Sequence, residues 1–437
     1  MIKFGTDGLR GRFNDDLRLE HALKLGEFLA LEFGDIPILI GEDSRISSPL
    51  LAQQVALGIA SNGGNAQMLG LIPTPGLSYL LEQGKYAAGV MVSASHNPYY
   101  DNGLKVFLGN GKKLKEEDEQ RIEAYLENKR QTIHRDKQIG TIKKVSSLSR
   151  FYIEHLYRDI DVDLTGLKIV LDSAHGATSE IAKEVFENFN ATVIQIANQP
   201  NGLNINHKCG STHMEFIVDK VKEVKADCGF AFDGDGDRCL AVDHMGNVID
   251  GDRLIYILAK DMLERETLKN DAVAVTIMAN LGFIRSCQNL GITVYQTDVG
   301  DKYVMECIEH HDLSLGGEQS GHIIFSDLVS TGDGLLTALK TVEIMKRKQK
   351  NLKDLSHECT IYPQVLEKVF VDDKYGLMNH EKIVRKYAEI NEKLKGTGRI
   401  LVRASGTEEV IRVMVEAPSQ KDCELYCKEM IDVINGI

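Results

Sequence analysis

Asp233, Asp235 and Asp237 alternate with glycines and run into Arg238 in the segment Asp233-Gly-Asp-Gly-Asp-Arg238. Three carboxylates at that spacing, on an extended segment or turn, can converge on one hard cation. An all-oxygen ligand set favours Mg²⁺, Ca²⁺ or Mn²⁺. A solvated Asp-Gly turn is the bland reading, but three aligned carboxylates repel one another without a cation. An EF-hand loop needs glycine at its sixth position and glutamate at its twelfth. Arg238 and His244 stand there, which excludes it. Arg238 adds a fixed positive charge beside the carboxylates.

Met91-Val-Ser-Ala-Ser-His-Asn-Pro98 ends an apolar run on two serines, a histidine and an asparagine. Ser, Asn and Pro all favour turns; the alternative is a nucleophilic serine held at a strand end. Lys105 follows in Asp101-Asn-Gly-Leu-Lys105. It is either an exposed charge or a cation that stabilises a transferring phosphate or moves a proton. In Gly5-Thr-Asp-Gly-Leu-Arg-Gly11, Arg10 lies between glycines, where the backbone can approach an anion closely. Gly317-Glu-Gln-Ser-Gly-His322 offers Glu318 as an acceptor and Ser320 as acceptor or donor, which suits a polyol; a surface turn would read the same. Arg403-Ala-Ser-Gly-Thr-Glu408, followed by Arg412, exposes backbone N–H groups and hydroxyls between two arginines that can clamp phosphate oxygens. A hairpin with incidental arginines is the rival. Neither GxxxxGK[ST] nor GxGxxG occurs, which argues against a nucleotide cradle.

These loops need elements to hold them, and the chain shows a threefold recurrence of strands. Ile36–Ile40, Leu167–Leu171 and Ala272–Thr276 are short apolar runs suited to strands buried on both faces of a parallel sheet. Each leads through a helical pattern to a second run, near Ala66, Ala191 and Ile292, and then to a third. The third runs, Ala88–Val92, Cys228–Phe232 and Leu313–Leu315, each end in one of the polar loops. Strands alternating with helices imply layered α/β domains with right-handed crossovers. Ligands gather at the carboxyl ends of such strands. Equivalent loops from three domains would therefore build one composite site. After Tyr362 the pattern changes to strand, helix from Asn379 to Leu394, and two strands flanking the arginine loop, as in a small α+β domain. The charged stretch from Lys112 to Lys137 reads as a solvated helix and a linker. Domain limits fall at 1–147, 148–250, 251–362 and 363–437.

A chain of 437 residues suits several domains. It is 43% hydrophobic and 26% charged, which argues against disorder. The net charge of −13 weighs against general binding to nucleic acid or an anionic membrane, though local arginines can still hold a small anion. No run of about 18 apolar residues is present, so nothing spans a membrane. The N-terminal ten residues lack a signal-peptide core. Eight cysteines form no CxxC pair, and Cys423 and Cys427 are weak metal candidates. All are expected as reduced thiols in a cytoplasmic protein.

Taken together, the loops resemble the α-D-phosphohexomutase superfamily, from Phe4-Gly-Thr-Asp-Gly-Leu-Arg-Gly11 to the Arg403–Arg412 segment, in family order. The Ser-Ala-Ser-His-Asn-Pro and Gly-Glu-Gln-Ser-Gly-His variants look like its glucosamine branch. The resemblance implies three similar layered α/β domains with mixed, largely parallel sheets, and a smaller C-terminal α+β domain, around a central cleft. It implies that Ser95, not Ser93, is the phosphorylated residue. One Mg²⁺ per subunit would sit on Asp233, Asp235, Asp237 and a Ser95 phosphate oxygen. Glu318, Ser320 and His322 would meet the sugar; Arg403, Ser405, Gly406, Thr407 and Arg412 would meet its phosphate. Arg10, Lys105, His96 and Arg238 are the further catalytic candidates, either histidine being able to orient a neighbour instead.

The implied reaction interconverts glucosamine 6-phosphate and glucosamine 1-phosphate through a glucosamine 1,6-bisphosphate intermediate, toward UDP-N-acetylglucosamine and cell-wall precursors. The implied partner is a small phosphosugar, with no nucleic acid or membrane, and a homodimer is compatible. Rival readings are a phosphomannomutase or phosphoglucomutase with the same machinery, and a phosphosugar-binding protein without transfer. One departure stands out. The family loop reads Arg-Pro-Ser-Gly-Thr-Glu-Pro, whereas Ala404 and Glu409 replace its prolines here. That change loosens the loop while keeping its donors.

Overall fold

The computed structural model describes residues 2–5, 7–127, 139–158, 160–405 and 409–437. Two compact units emerge. The first comprises Met1–Met278 with Leu290–Glu358; the second comprises Ala279–Asn289 with Cys359–Ile437. Each is described by itself.

The first unit repeats one arrangement in three sheets. In the first, Ile38–Glu42 lies between Asn65–Leu71 and Ala88–Val92, all parallel. In the second, Lys168–Asp172 lies between Thr192–Ile196 and Cys228–Phe232, again parallel. In the third, Ala272–Thr276 lies between Thr293–Thr297 and Leu315–Gly317. Each third strand then turns back into an antiparallel neighbour: Asp101–Leu108, Cys239–Asp243 and Ile323–Phe325. The three loops singled out by their chemistry are these turn-backs.

The sheets are α/β layers because their strands are apolar on both sides. In the first sheet Ile38, Ile40, Val90 and Val92 join the core under the helices Leu19–Phe33 and Ser48–Ser61. Leu39, Met91 and Phe107 join a second core under Thr74–Gln83. Alternate side chains pointing to opposite, equally covered faces produce the continuous apolar runs of the sequence. Each such side chain, fully buried, contributes about 1.5–3 kcal/mol.

Antiparallel strands that the sequence pattern did not reveal extend the first sheet. Gly8–Arg12 pairs with Asp101–Leu108, and Phe4–Gly5 pairs with Gly8–Arg12. The charged stretch after Lys112 does form a helix, Glu116–Glu127, while residues 128–138 lie outside those described.

The second unit is a small α+β domain. Its three antiparallel strands run in the order Gln364–Phe370, Val410–Glu416, Arg399–Ala404. They pack on Glu381–Leu394 and Gln420–Asn435. Cys423 and Cys427 face this core, so their four-residue spacing reflects one buried helix face. Among the described residues no disulfide links the cysteines. Among the described residues no helix is long and apolar enough to cross a membrane.

Candidate active site

Ser95 sits at the carboxyl end of Ala88–Val92, fully buried, with φ of 50°. A left-handed serine is uncommon, because its Cβ crowds the backbone. The loop is held around it. The Ser93 hydroxyl donates to Asp43 Oδ2 at 2.7 Å and accepts the Ser95 N–H at 2.9 Å, so Ser93 is a brace. Asp43 also binds Arg45 Nε at 2.8 Å, and Arg45 Nη2 donates to the Ser95 carbonyl at 2.8 Å. Gly103 leaves room for this loop: a Cβ there would lie 2.4 Å from the Ser93 carbonyl oxygen. With its backbone fixed, the Ser95 hydroxyl donates to Asp233 Oδ2 at 2.5 Å and lies 3.3 Å from His96 Nδ1. Burial, then Arg238 and Arg10, pushes the His96 imidazole down to about 3, so the ring stays neutral.

Asp233, Asp235 and Asp237 come from the turn between Cys228–Phe232 and Cys239–Asp243. All three are buried, with one oxygen from each within 4.8 Å of the others. Burial, then the charges of Asp237 and Asp235, raises the Asp233 carboxyl well above its ordinary value. Its hydrogen bonds come from Ser95 and the Arg238 N–H, the latter at 3.2 Å to Oδ1.

Lys105 explains how the other two aspartates are placed. Antiparallel pairing puts it opposite Met91, behind the serine loop, and puts Arg10 opposite Gly103. Lys105 Nζ then reaches Asp235 Oδ2 at 2.8 Å, Asp237 Oδ2 at 3.1 Å and Asp7 Oδ2 at 2.9 Å. Burial alone would lower this ammonium, but Asp235, Asp237 and Asp7 together hold it well above its ordinary value. The second oxygens, Oδ1 of Asp235 and of Asp237, are buried with no hydrogen-bond partner. Two orphaned carboxylate oxygens beside Asp233 fit a hard, oxygen-ligated divalent cation such as Mg²⁺.

Asp7 continues the network, a link that sequence reasoning missed. It pairs with Arg10 and, at 2.5 Å, with Lys113 Nζ, which also lies 2.5 Å from Asp301 Oδ2. Lys113 was expected on a solvated face; instead its side chain is 17% exposed and bridges carboxylates from the first and third sheets' domains. Nothing local in a run of lysines distinguishes it. Arg238 flanks the site with its Nε buried, without a hydrogen-bond partner and 4.0 Å from Asp237 Oδ1.

In the third domain Glu318 and Ser320 form a half-buried turn between Leu315–Gly317 and Ile323–Phe325, with Ser320 Oγ donating to Glu318 Oε2 at 3.3 Å. The His322 ring turns away from them. Its Nε2 accepts the Gly332 N–H at 3.0 Å, and its Nδ1 lies 3.7 Å from Asp237 Oδ1.

In the second unit Arg403 stands directly opposite Arg412, and Arg412 directly opposite Lys368, across three strands. Three cations in one cross-strand row share a face, a setting that suits an anion. Burial and Arg412 lower the Arg403 guanidinium. Ser405 is buried, its N–H donating to the Val410 carbonyl at 2.9 Å. Gly406 and Thr407 lie outside the described residues.

Known proteins share this arrangement. Residues 1–133, 150–246 and 250–362 match the phosphoglucomutase/phosphomannomutase alpha/beta/alpha domains I, II and III, and residues 366–433 match the C-terminal domain of the same family. Phosphoglucosamine mutase of Geobacillus thermodenitrificans is 46% identical over 437 residues, covering 99% of this chain and 98% of that protein. The Bacillus cereus phosphoglucosamine mutase is 44% identical over 439 residues, with the same coverage. Among solved structures, a phosphoglucomutase/phosphomannomutase family protein from Burkholderia thailandensis superposes with a TM-score of 0.82 at 22% identity, covering 99% of this chain and 97% of that one. Aspergillus fumigatus N-acetylphosphoglucosamine mutase, solved with GlcNAc-6P and magnesium, gives 0.68 at 16% identity, covering 100% and 96%. Four domain matches in order, with 46% identity over nearly the whole length, place the chain in the phosphoglucomutase/phosphomannomutase family.

Proposed function

We propose that this protein is a phosphoglucosamine mutase, an isomerase that interconverts glucosamine 6-phosphate and glucosamine 1-phosphate in the cytoplasm. The observation that carries the reading is the left-handed, buried Ser95 whose hydroxyl meets Asp233 from a second domain. The glucosamine preference rests on the 44–46% identical phosphoglucosamine mutases.

In this mechanism the protein works with Ser95 phosphorylated. The free hydroxyl of the bound monophosphate attacks phosphorus; the Ser95 Oγ–P bond breaks as the sugar O–P bond forms. A glucosamine 1,6-bisphosphate results, reorients, and returns its other phosphoryl group to Ser95. Asp233, Asp235 and Asp237 would hold Mg²⁺ with a phosphate oxygen, and the ion would offset phosphoryl charge when bound. Lys105, kept charged by three carboxylates, supplies fixed positive charge and does not accept a proton. Arg10 and Arg238 add to that field. Neutral His96 beside Ser95 Oγ orients the serine oxygen, which takes up the proton that the attacking hydroxyl releases. Glu318 and Ser320 hold sugar hydroxyls or the amino group, while His322 steadies Asp237. Arg403, Ser405 and Arg412, with Gly406 and Thr407 between them, bind the sugar's phosphate.

The test is turnover of the Ser95-phosphorylated protein with Mg²⁺, comparing glucosamine, glucose and mannose phosphates. A clear kcat/KM advantage for glucosamine phosphate supports the proposal. Equal or better turnover of the others keeps the mechanism and reassigns the substrate.

A further inference from the structure

We propose that Asn206, in the second domain, is a positioning residue that keeps Ser95 in register with the aspartate loop. This rests on Ser95 being the phosphoryl carrier. Asn206 is 6% exposed. Its Nδ2 donates to two main-chain carbonyls of the first domain, that of Ser95 at 2.8 Å and that of Asn97 at 3.0 Å. One amide group with two hydrogens is thereby committed to the carbonyls of the two residues that flank His96. Arg45 Nη2 grips the same Ser95 carbonyl at 2.8 Å from the first domain. The left-handed serine is therefore held by its carbonyl from both sides, one grip belonging to each domain.

The contact is wedged against the carboxylates. Gly234, between Asp233 and Asp235, lies so close that a Cβ there would be 2.6 Å from the Ser95 carbonyl oxygen and 2.8 Å from Asn206 Nδ2. The Asp233 loop, the Asn206 amide and the Ser95 peptide thus form one packed layer. The layer is anchored in the second domain. Asn206 N–H donates to the Ala174 carbonyl at 2.9 Å, and Ala177 N–H donates to the Gly234 carbonyl at 2.8 Å. Buried Asp172 braces the same segment, accepting from Ala174 N–H and Gly210 N–H, both at 2.9 Å.

Without the Asn206 grip, the strained serine can relax toward negative φ and swing its Oγ off Asp233. A misplacement of about 1 Å at a reacting atom can cost on the order of a hundredfold in rate. Asn206 itself has φ of 57°, so an alanine there would mix backbone strain with loss of the amide. Asn206→Asp and Asn206→Gly both tolerate that conformation and remove both donors. The expected result, in phosphorylated protein, is a kcat lower by at least about tenfold with KM for glucosamine 1-phosphate within about threefold. Mg²⁺ affinity of the unphosphorylated protein and the Tm stay near wild type. Wild-type kcat in either variant overturns the proposal. So does a fall in kcat accompanied by lost Mg²⁺ binding or a collapsed Tm, which would make Asn206 a packing residue. If wild-type protein itself shows no phosphoryl transfer through Ser95, the functional reading fails instead.

Discussion

Ser95 and Asp233 are 138 residues apart in the chain, yet the serine hydroxyl donates to the aspartate at 2.5 Å. The meeting depends on two turn-backs of the same kind, each following the third parallel strand of its own sheet. Repetition of one α/β arrangement thus brings a serine hydroxyl and a carboxylate cluster together without any local sequence linking them. The pairing is also chemically specific, because Ser93, two residues earlier, is occupied by Asp43 and the Ser95 amide.

The nucleophile assignment makes the first prediction. Ser95→Ala should bind glucosamine 6-phosphate within about threefold of wild type and lose turnover by at least ~10³-fold, as expected for removal of a covalent carrier. Calorimetric binding alongside a coupled assay reads both quantities. Retained turnover would move the phosphoryl carrier elsewhere.

The aspartate cluster makes the second, through pH. Asp233 has a raised pKa in the fold, from burial and from Asp237 and Asp235. Its contribution to stability is therefore full below the unfolded aspartate value of about 4 and is lost as pH rises toward the folded one. In chelator, wild type minus Asp233→Asn unfolding free energy should fall as pH rises above about 4. Adding Mg²⁺ above that pH should raise the wild-type Tm and leave the variant nearly unchanged. A pH-independent difference in urea unfolding would contradict the assigned charge balance. Chelation should also abolish mutase turnover, and Mg²⁺ should restore it.

Lys113 supplies the third. It is shared by Asp7 and Asp301, at 2.5 Å from each. Lys113→Met should destabilise the protein by about 3 kcal/mol, the lower end for breaking a buried pair, because Asp301 loses its lysine and Asp7 keeps only Arg10 and Lys105. Asp301→Asn added to Lys113→Met should recover part of that loss, a coupling measurable in a double-mutant cycle. A Lys113→Met variant as stable as wild type would return the residue to the solvated face expected of its lysine-rich neighbourhood.

Why parts of this architecture were legible and others were not follows from burial. Ala88–Val92 and Cys228–Phe232 are apolar on both faces, so their runs stand out, and the polar loops after them mark the site. Asp101–Leu108 and Gly8–Arg12 are strands as well, yet Asp101, Asn102, Gly103, Lys105, Gly8 and Arg10 are poor strand formers by type. They hold strand geometry through pairing with neighbours and carry polar groups because the site needs them. Lys113 looked solvated because its partners lie 106 and 188 residues away. Asp43 and Arg45 could have been suspected, since they follow the strand Ile38–Glu42 at its carboxyl end, where ligands gather. Asn206 had no such marker; its role comes entirely from the two carbonyls it reaches.

The C-terminal domain makes the last prediction. Lys368, Arg412 and Arg403 stand in one cross-strand row, where like charges face one another. A phosphate group seated there would turn mutual repulsion into charge-assisted hydrogen bonds. Arg403→Ala should then raise KM for the sugar phosphate by about 10–100-fold, matching the loss of a charged hydrogen bond. Lys368→Ala should raise it less, by about fivefold, because its single ammonium lacks the guanidinium fork. Inorganic phosphate should raise the wild-type Tm and do so less for Arg403→Ala. If the variant's KM were unchanged and phosphate protected both proteins equally, the row would be a surface accident, and the phosphate would have to be held by other residues.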